Sequence, residues 1–247
     1  MIGTIAMNNI ITYESLRNFA YSNDKICRMP VKGIAVEFKG LGLSSMYCED
    51  TDEGKMFAEK GIIYIIPYNN PWAWMNRQAV NFTDEIIDVL IRHYKLHDDI
   101  PIVASGSSMG GLSALVYAVY ANRTPIACAA NCPVCDLPFH YTERPDLPRT
   151  LYSAFYSYNM TFDEALETAS PVHLADKMPP IKYYIFHCEC DSSVDKKMHS
   201  DVFVDILRKK HTVIYHSVPD RDHCDLPADM EALYLNYISD SIEGTGK

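Results

Sequence analysis

No run in this chain approaches the roughly 20 consecutive apolar residues that a membrane helix requires, so no membrane partner is expected. Basic residues are also in short supply: 22 Lys and Arg stand against 32 Asp and Glu, for a net charge of −10. That balance argues against a nucleic-acid partner, which needs a basic surface. No Pro/Gly/Ser-rich linker divides the sequence, and neither an internal repeat nor a low-complexity tract occurs. The opening residues, Met1 to Asn9, lack the basic region and apolar core of a signal peptide. The eight cysteines therefore read as reduced thiols of a cytoplasmic protein. What is present is a core: 48% of the 247 residues are hydrophobic, enough for one large domain over residues 1–247.

Short apolar runs at Gly33–Phe38, Ile62–Pro67, Pro101–Ala104, Ile126–Ala130, Ile181–Phe186 and Thr212–Val218 read as buried strands. Helical patterns such as Phe82–His93 alternate with them. This is the signature of an α/β fold with a mainly parallel central sheet and helices on both faces. The first 30 residues are expected to add one or two antiparallel strands.

The most informative segment follows the Pro101–Ala104 strand. Gly106-Ser107-Ser108-Met109-Gly110 leads into a helix from about Gly111 to Tyr120. A Gly-x-Ser-x-Gly sequence between a strand and a helix is a nucleophile elbow. Flanking glycines let strand and helix pass closely, and the helix N-terminus favours negative charge beside the serine. Ser108 is the expected nucleophile, and a nucleophilic serine needs a base and a group that orients the base. Asp191 follows the Ile181–Phe186 strand, and His223 follows Thr212–Val218. Both lie beyond strand C-termini, where open α/β sheets gather functional groups. The order Ser108, Asp191, His223 is that of an α/β-hydrolase triad. Glu189, Asp195 and Asp136 are alternative carboxylates. His187 and His216 compete for the base, although His216 lies inside a strand and His187 precedes the acid turn.

On these residues, together with Ser170-Pro171-Val172, Pro179-Pro180 and His187-Cys188-Glu189-Cys190-Asp191, the chain resembles the α/β-hydrolases. More narrowly, it is similar from about Val31 to Ile238 to the prolyl oligopeptidase-family catalytic domain and its esterase relatives. Cys188 stands where those relatives commonly have glycine. The resemblance implies an α/β-hydrolase fold and a serine hydrolase that works through an acyl-enzyme without a cofactor, and the long, aromatic-rich connection at about residues 137–169 is expected to form a small cap. It also implies an oxyanion hole made by the Met109 N–H and an N–H from the loop after Gly33–Phe38, here assigned to Leu41. The expected substrate is an ester of a small apolar or aromatic acyl group. A short-peptide or acyl-peptide hydrolase is the alternative, and a catalytically silent hydrolase-fold binding protein a third reading. Oligomeric state is not legible.

Two segments are expected to rise above the strand ends and contact substrate: Tyr68–Arg77, through Trp72 and Trp74, and the insertion, through Tyr152 and Phe155. Arg77 and Arg144 are candidates for binding a carboxylate. Cys132, Cys135, Cys188 and Cys190 stand near strand ends, where four thiols could hold zinc. Space-filling is the expected role, and no metal is assigned.

Overall fold

The computed structural model describes residues 11–43 and 45–244. The expectation about a signal sequence falls on residues 1–9, outside that range.

A 3-residue strand β1 (Ala20–Ser22) precedes β2 (Gly33–Phe38), α1 (Asp52–Glu59), β3 (Ile62–Pro67) and α2 (Arg77–Tyr94). Next come β4 (Ile102–Ser107), α3 (Met109–Tyr120) and β5 (Ala127–Asn131). The helices α4 (Leu137–Glu143), α5 (Leu147–Phe155), α6 (Phe162–Glu167) and α7 (Pro171–Leu174) follow. The chain closes with β6 (Lys182–Cys188), α8 (Val202–Leu207), β7 (Val213–Val218) and α9 (Ala228–Glu243), with one turn of π-helix, Lys197–Asp201, leading into α8. The sheet order is β1-β3-β2-β4-β5-β6-β7. β1 is antiparallel to β3 and the other pairings are parallel. This is the α/β-hydrolase fold expected from the sequence. The N-terminal region contributes one antiparallel strand among the described residues.

Alternation along the strands explains why both faces are covered. Ile34, Val36, Ile63 and Ile65 enter one apolar cluster with α2, α3 and α8. Ala35, Ile62, Tyr64 and Ile66 enter another with Phe57 of α1 and Tyr234, Ile238 and Ile242 of α9. Successive strand side chains point to opposite faces, so near-continuous apolar strands demand helices on each side. α2 starts earlier than its apolar pattern predicts because the Asn76 side chain accepts from Ala79 N–H and caps it.

β4 lies at the centre, between β2 and β5. Its end turns so tightly that Ser108 adopts φ 59° and ψ −123°, a left-handed backbone state that is costly for a residue with a Cβ. A Cβ on Gly106 would lie 2.4 Å from the Gly110 carbonyl oxygen, and one on Gly110 would lie 2.0 Å from that of Phe38. The Tyr234 phenol, buried beneath the turn, accepts from Gly106 N–H (2.9 Å) and donates to Ala129 O (3.2 Å). The Ser108 N–H donates to Asn131 O at 2.9 Å, so the strained residue is held from two strands.

Gly110→Ala should therefore destabilise the fold by about 2 kcal/mol or more, the usual cost of forcing extra volume into packed structure. Urea unfolding would show a lower midpoint at an unchanged slope. An unaltered midpoint would mean that the Phe38 carbonyl moves aside freely.

Candidate active site

Asp191 is the best-connected group at the strand ends. Its side chain is fully buried. One carboxylate oxygen accepts from the Ser193 and Val194 N–H groups, both at 2.9 Å. The other lies 2.7 Å from His223 Nδ1 and 3.2 Å from His187 Nε2. Burial alone would raise its pKa, but hydrogen bonds from His187, His223 and the Val194 N–H hold it well below the usual carboxylate range. Asp191 is thus an anion at neutral pH that accepts from His223 Nδ1–H. That leaves Nε2 of the half-buried His223 ring as the basic nitrogen.

The sequence alternatives are engaged elsewhere. Glu189 accepts from Ser217 Oγ (2.7 Å). Asp195 accepts from the Lys197 and Met198 N–H groups, and Asp136 caps α4 through Phe139 N–H. His216 stacks on Phe186 and meets the Tyr237 hydroxyl at 3.1 Å. His187 is fully buried, with Nδ1 2.6 Å from Ser200 Oγ and Nε2 3.1 Å from Val194 O. It is therefore a second partner of the acid. Sequence reasoning treated it only as a rival to His223; its place four residues before Asp191 was the available signal. Asp222 was also missed. Its carboxylate accepts from Ser192 N–H (2.9 Å) and Ser192 Oγ (3.2 Å), joining the acid loop to the histidine loop.

Among the described residues the Ser108 hydroxyl makes no hydrogen bond, so its link to His223 is open in this state. Catalytic hydrogen bonds are often long before substrate binds. The turn after β2 lies over the elbow: a Cβ on Gly40 would be 3.8 Å from Ser108 Cβ. This turn closes through Leu43 N–H to Gly40 O, while Gly42 N–H donates to Pro71 O. The Leu41 and Met109 N–H groups have no partner among the described residues, as an oxyanion hole requires.

Beside this wall lies a pocket of about 270 Å³, lined by Phe38, Gly40, Leu43, Met46, Met75 and Met109 among others. Here the expected substrate contacts need correction. Trp74 and Phe155 are 1% and 2% exposed and belong to the core. Trp74 Nε1–H donates to Thr150 Oγ1 (3.0 Å), and Asn76 Nδ2 donates to Ala154 O (3.0 Å). The loop after β3 is thereby locked to α5, and the large aromatics fill that joint. Trp72 and Tyr152 are exposed but do not line this pocket. Pro71, Ala73 and Met75 of the same loop do. Arg144 is paired with Asp146, and the Arg77 guanidinium lies 4.5 Å from the Tyr158 ring.

The four thiols that the sequence places near strand ends do not all converge. Cys190 is exposed, and the Cys135 thiol faces Pro133 O. Cys132 instead neighbours Cys188 and Cys224.

No family model and no curated relative matches the chain. Solved structures do. A puromycin-hydrolyzing peptidase of Mycobacterium tuberculosis superposes with TM-score 0.71 at 18% identity, over 88% of this chain and 35% of its own. An S-formylglutathione hydrolase of Agrobacterium tumefaciens gives 0.68 at 15% identity, over 91% and 88%. Esterase B of Lactobacillus Rhamnosis (HN001) gives 0.68 at 12%, over 89% and 79%. The chain thus spans about a third of the peptidase but most of both esterases. At these identities the likeness carries the α/β-hydrolase fold. No described helix is long and apolar enough to cross a membrane.

The depressed Asp191 pKa has a sign. Its stabilisation is fully present above the unfolded carboxylate value near pH 4 and is lost as pH falls toward the folded value. Stability of the wild type should therefore fall more steeply below about pH 4 than that of Asp191→Asn. Urea unfolding across a pH series checks this; parallel curves would show that the carboxylate is not held as described.

Proposed function

We propose that the chain is a serine hydrolase that cleaves esters of small apolar acyl groups through an acyl-enzyme. The reading is carried by the strained Ser108 elbow standing at the same sheet edge as the 2.7 Å Asp191–His223 pair. Substrate entry brings His223 Nε2 to the Ser108 hydroxyl and takes its proton as Oγ attacks the carbonyl carbon. Asp191 keeps the proton on Nδ1 and stabilises the imidazolium. The Met109 and Leu41 N–H groups receive the developing oxyanion. His223 then protonates the leaving group and afterwards activates the water that releases the acid. No cofactor enters this scheme.

The pocket next to the oxyanion wall supports the acyl preference. Phe38, Leu43, Met46, Met75 and Met109 offer apolar, adaptable walls, so the aromatic part of the expectation loses its Trp74 and Phe155 support. Helices α4 to α6 act as a small cap in this reading, within a single domain and a cytoplasmic protein. Similarity to the puromycin-hydrolyzing peptidase keeps short peptides as the second substrate class.

Ser108→Ala should abolish turnover by orders of magnitude while leaving the unfolding midpoint near the wild-type value; retention of even about a tenth of kcat would remove Ser108 from the mechanism. Asp191→Asn should cost on the order of 10⁴ in kcat by favouring the wrong histidine tautomer. A panel of acyl p-nitrophenyl esters against aminoacyl anilides decides the substrate class. Faster anilide cleavage would favour the peptidase.

A further inference from the structure

Beneath the Asp191–His223 pair the structure gathers thiols that the hydrolytic scheme does not use. Cys132 Sγ is their hub. It accepts from the Cys188 and Cys224 N–H groups, both at 3.4 Å. The ligand atoms of Cys132, Cys224 and His223 all lie within 4.8 Å of one another, and those of Cys132, His187 and Asp191 do likewise. Cys132 and Cys224 both hold left-handed backbone conformations, with φ 44° and 60°. Such strain at residues with a Cβ persists only where surrounding structure imposes it. A buried polar side chain stands beside them. Asn131, 4% exposed, uses Nδ2 to hold Cys224 O at 3.4 Å, yet its buried Oδ1 has no hydrogen-bond partner.

We infer that Cys132, Cys224 and His223 form a binding site for a thiophilic divalent cation of the zinc type, and that the bound cation switches the hydrolase off. The donor set is two thiols and one imidazole, with a fourth position left for water, whose O–H would satisfy Asn131 Oδ1. Zinc held tetrahedrally by such ligands sets sulfur–sulfur and sulfur–nitrogen separations of about 3.8 and 3.5 Å. The donors would therefore have to close by about 1.3 Å at most, which the partly exposed 220–225 loop can supply. Both thiols deliver their protons to solvent on binding. Whichever ring nitrogen of His223 turns to the metal, the base is lost: Nε2 is the atom that takes the serine proton, and Nδ1 is the atom Asp191 holds.

Binding stands independently of the hydrolase reading, but inhibition rests on it, so the test reads them separately. Reduced, chelator-stripped protein is titrated with zinc chloride. Bound zinc is measured by competition with a chromogenic chelator, and p-nitrophenyl ester hydrolysis is followed in parallel. One zinc per chain is expected, with the rate falling in step with occupancy. Ser108→Ala should bind zinc like the wild type. Cys224→Ser, Cys224→Ala and Cys132→Ser should each weaken binding on the order of 100-fold, at the upper end of what even supporting residues contribute. The zinc concentration for half-inhibition should rise by the same factor. Because Cys224 is only partly buried, its two variants keep the test valid should Cys132→Ser fail to fold. Zinc binding without any turnover of esters or aminoacyl anilides by the wild type would overturn the hydrolase reading and leave the site standing. Failure to retain zinc, or inhibition undiminished in the Cys224 variants, would overturn the site.

Discussion

The Asp191 carboxylate is the constraint on which the candidate active site depends. An anion without solvent contact survives only if its lone pairs are taken, and here two backbone N–H groups and two imidazoles take them. The backbone donors wrap the acid turn around the carboxylate, which orients it toward the loop after β7. His187 occupies the inner side and passes the restraint through Ser200 to the π-helical turn before α8. His223 is the partner left facing outward. One buried charge thus determines where the His223 ring stands and which nitrogen carries its proton.

Backbone strain is concentrated at the same edge of the sheet. Ser108, Cys132, Asp220 and Cys224 all have positive φ, and each follows the C-terminal end of β4, β5 or β7. At the elbow the cause is visible: strand, helix and the Phe38 carbonyl meet with no room for a Cβ at positions 106 and 110. The central parallel sheet supplies the rigidity that holds such residues in place, since β4 is paired on both sides. The result is a hydroxyl and free N–H groups exposed at a position that relaxation of the chain would otherwise hide.

In the proposed function, substrate choice would rest on a different kind of contact. The loop after β3 and α5 interlock through Trp74–Thr150 and Asn76–Ala154 hydrogen bonds, which spends the large aromatics on joining two elements. The pocket is faced by Leu43, Met46, Met75 and Met109 on one hand and by Lys39, Asn69, Asn70 and Ser113 on the other. The apolar side chains are adaptable walls, and the polar ones can orient a bound group.

The strands and their two-faced burial were legible in the sequence because apolar runs of four to seven residues separated by helical patterns admit few other arrangements. Gly106-x-Ser108-x-Gly110 was legible for a similar reason: the steric demand of the turn is written in the residues that relieve it. The identity of the acid could be narrowed but not decided, because Glu189, Asp191 and Asp195 share one polar turn and differ only in which hydrogen bonds they find. Sequence also sorted the aromatics by type and missed their direction, assigning Trp74 and Phe155 to substrate when packing had placed them in the core. Cys224 carried no linear signal linking it to Cys132, since 92 residues separate them. What the chain alone determined is the chemistry available and its order along the sheet; which side chains meet was decided by tertiary structure, where burial forces each polar group to find a partner across loops that the sequence does not connect.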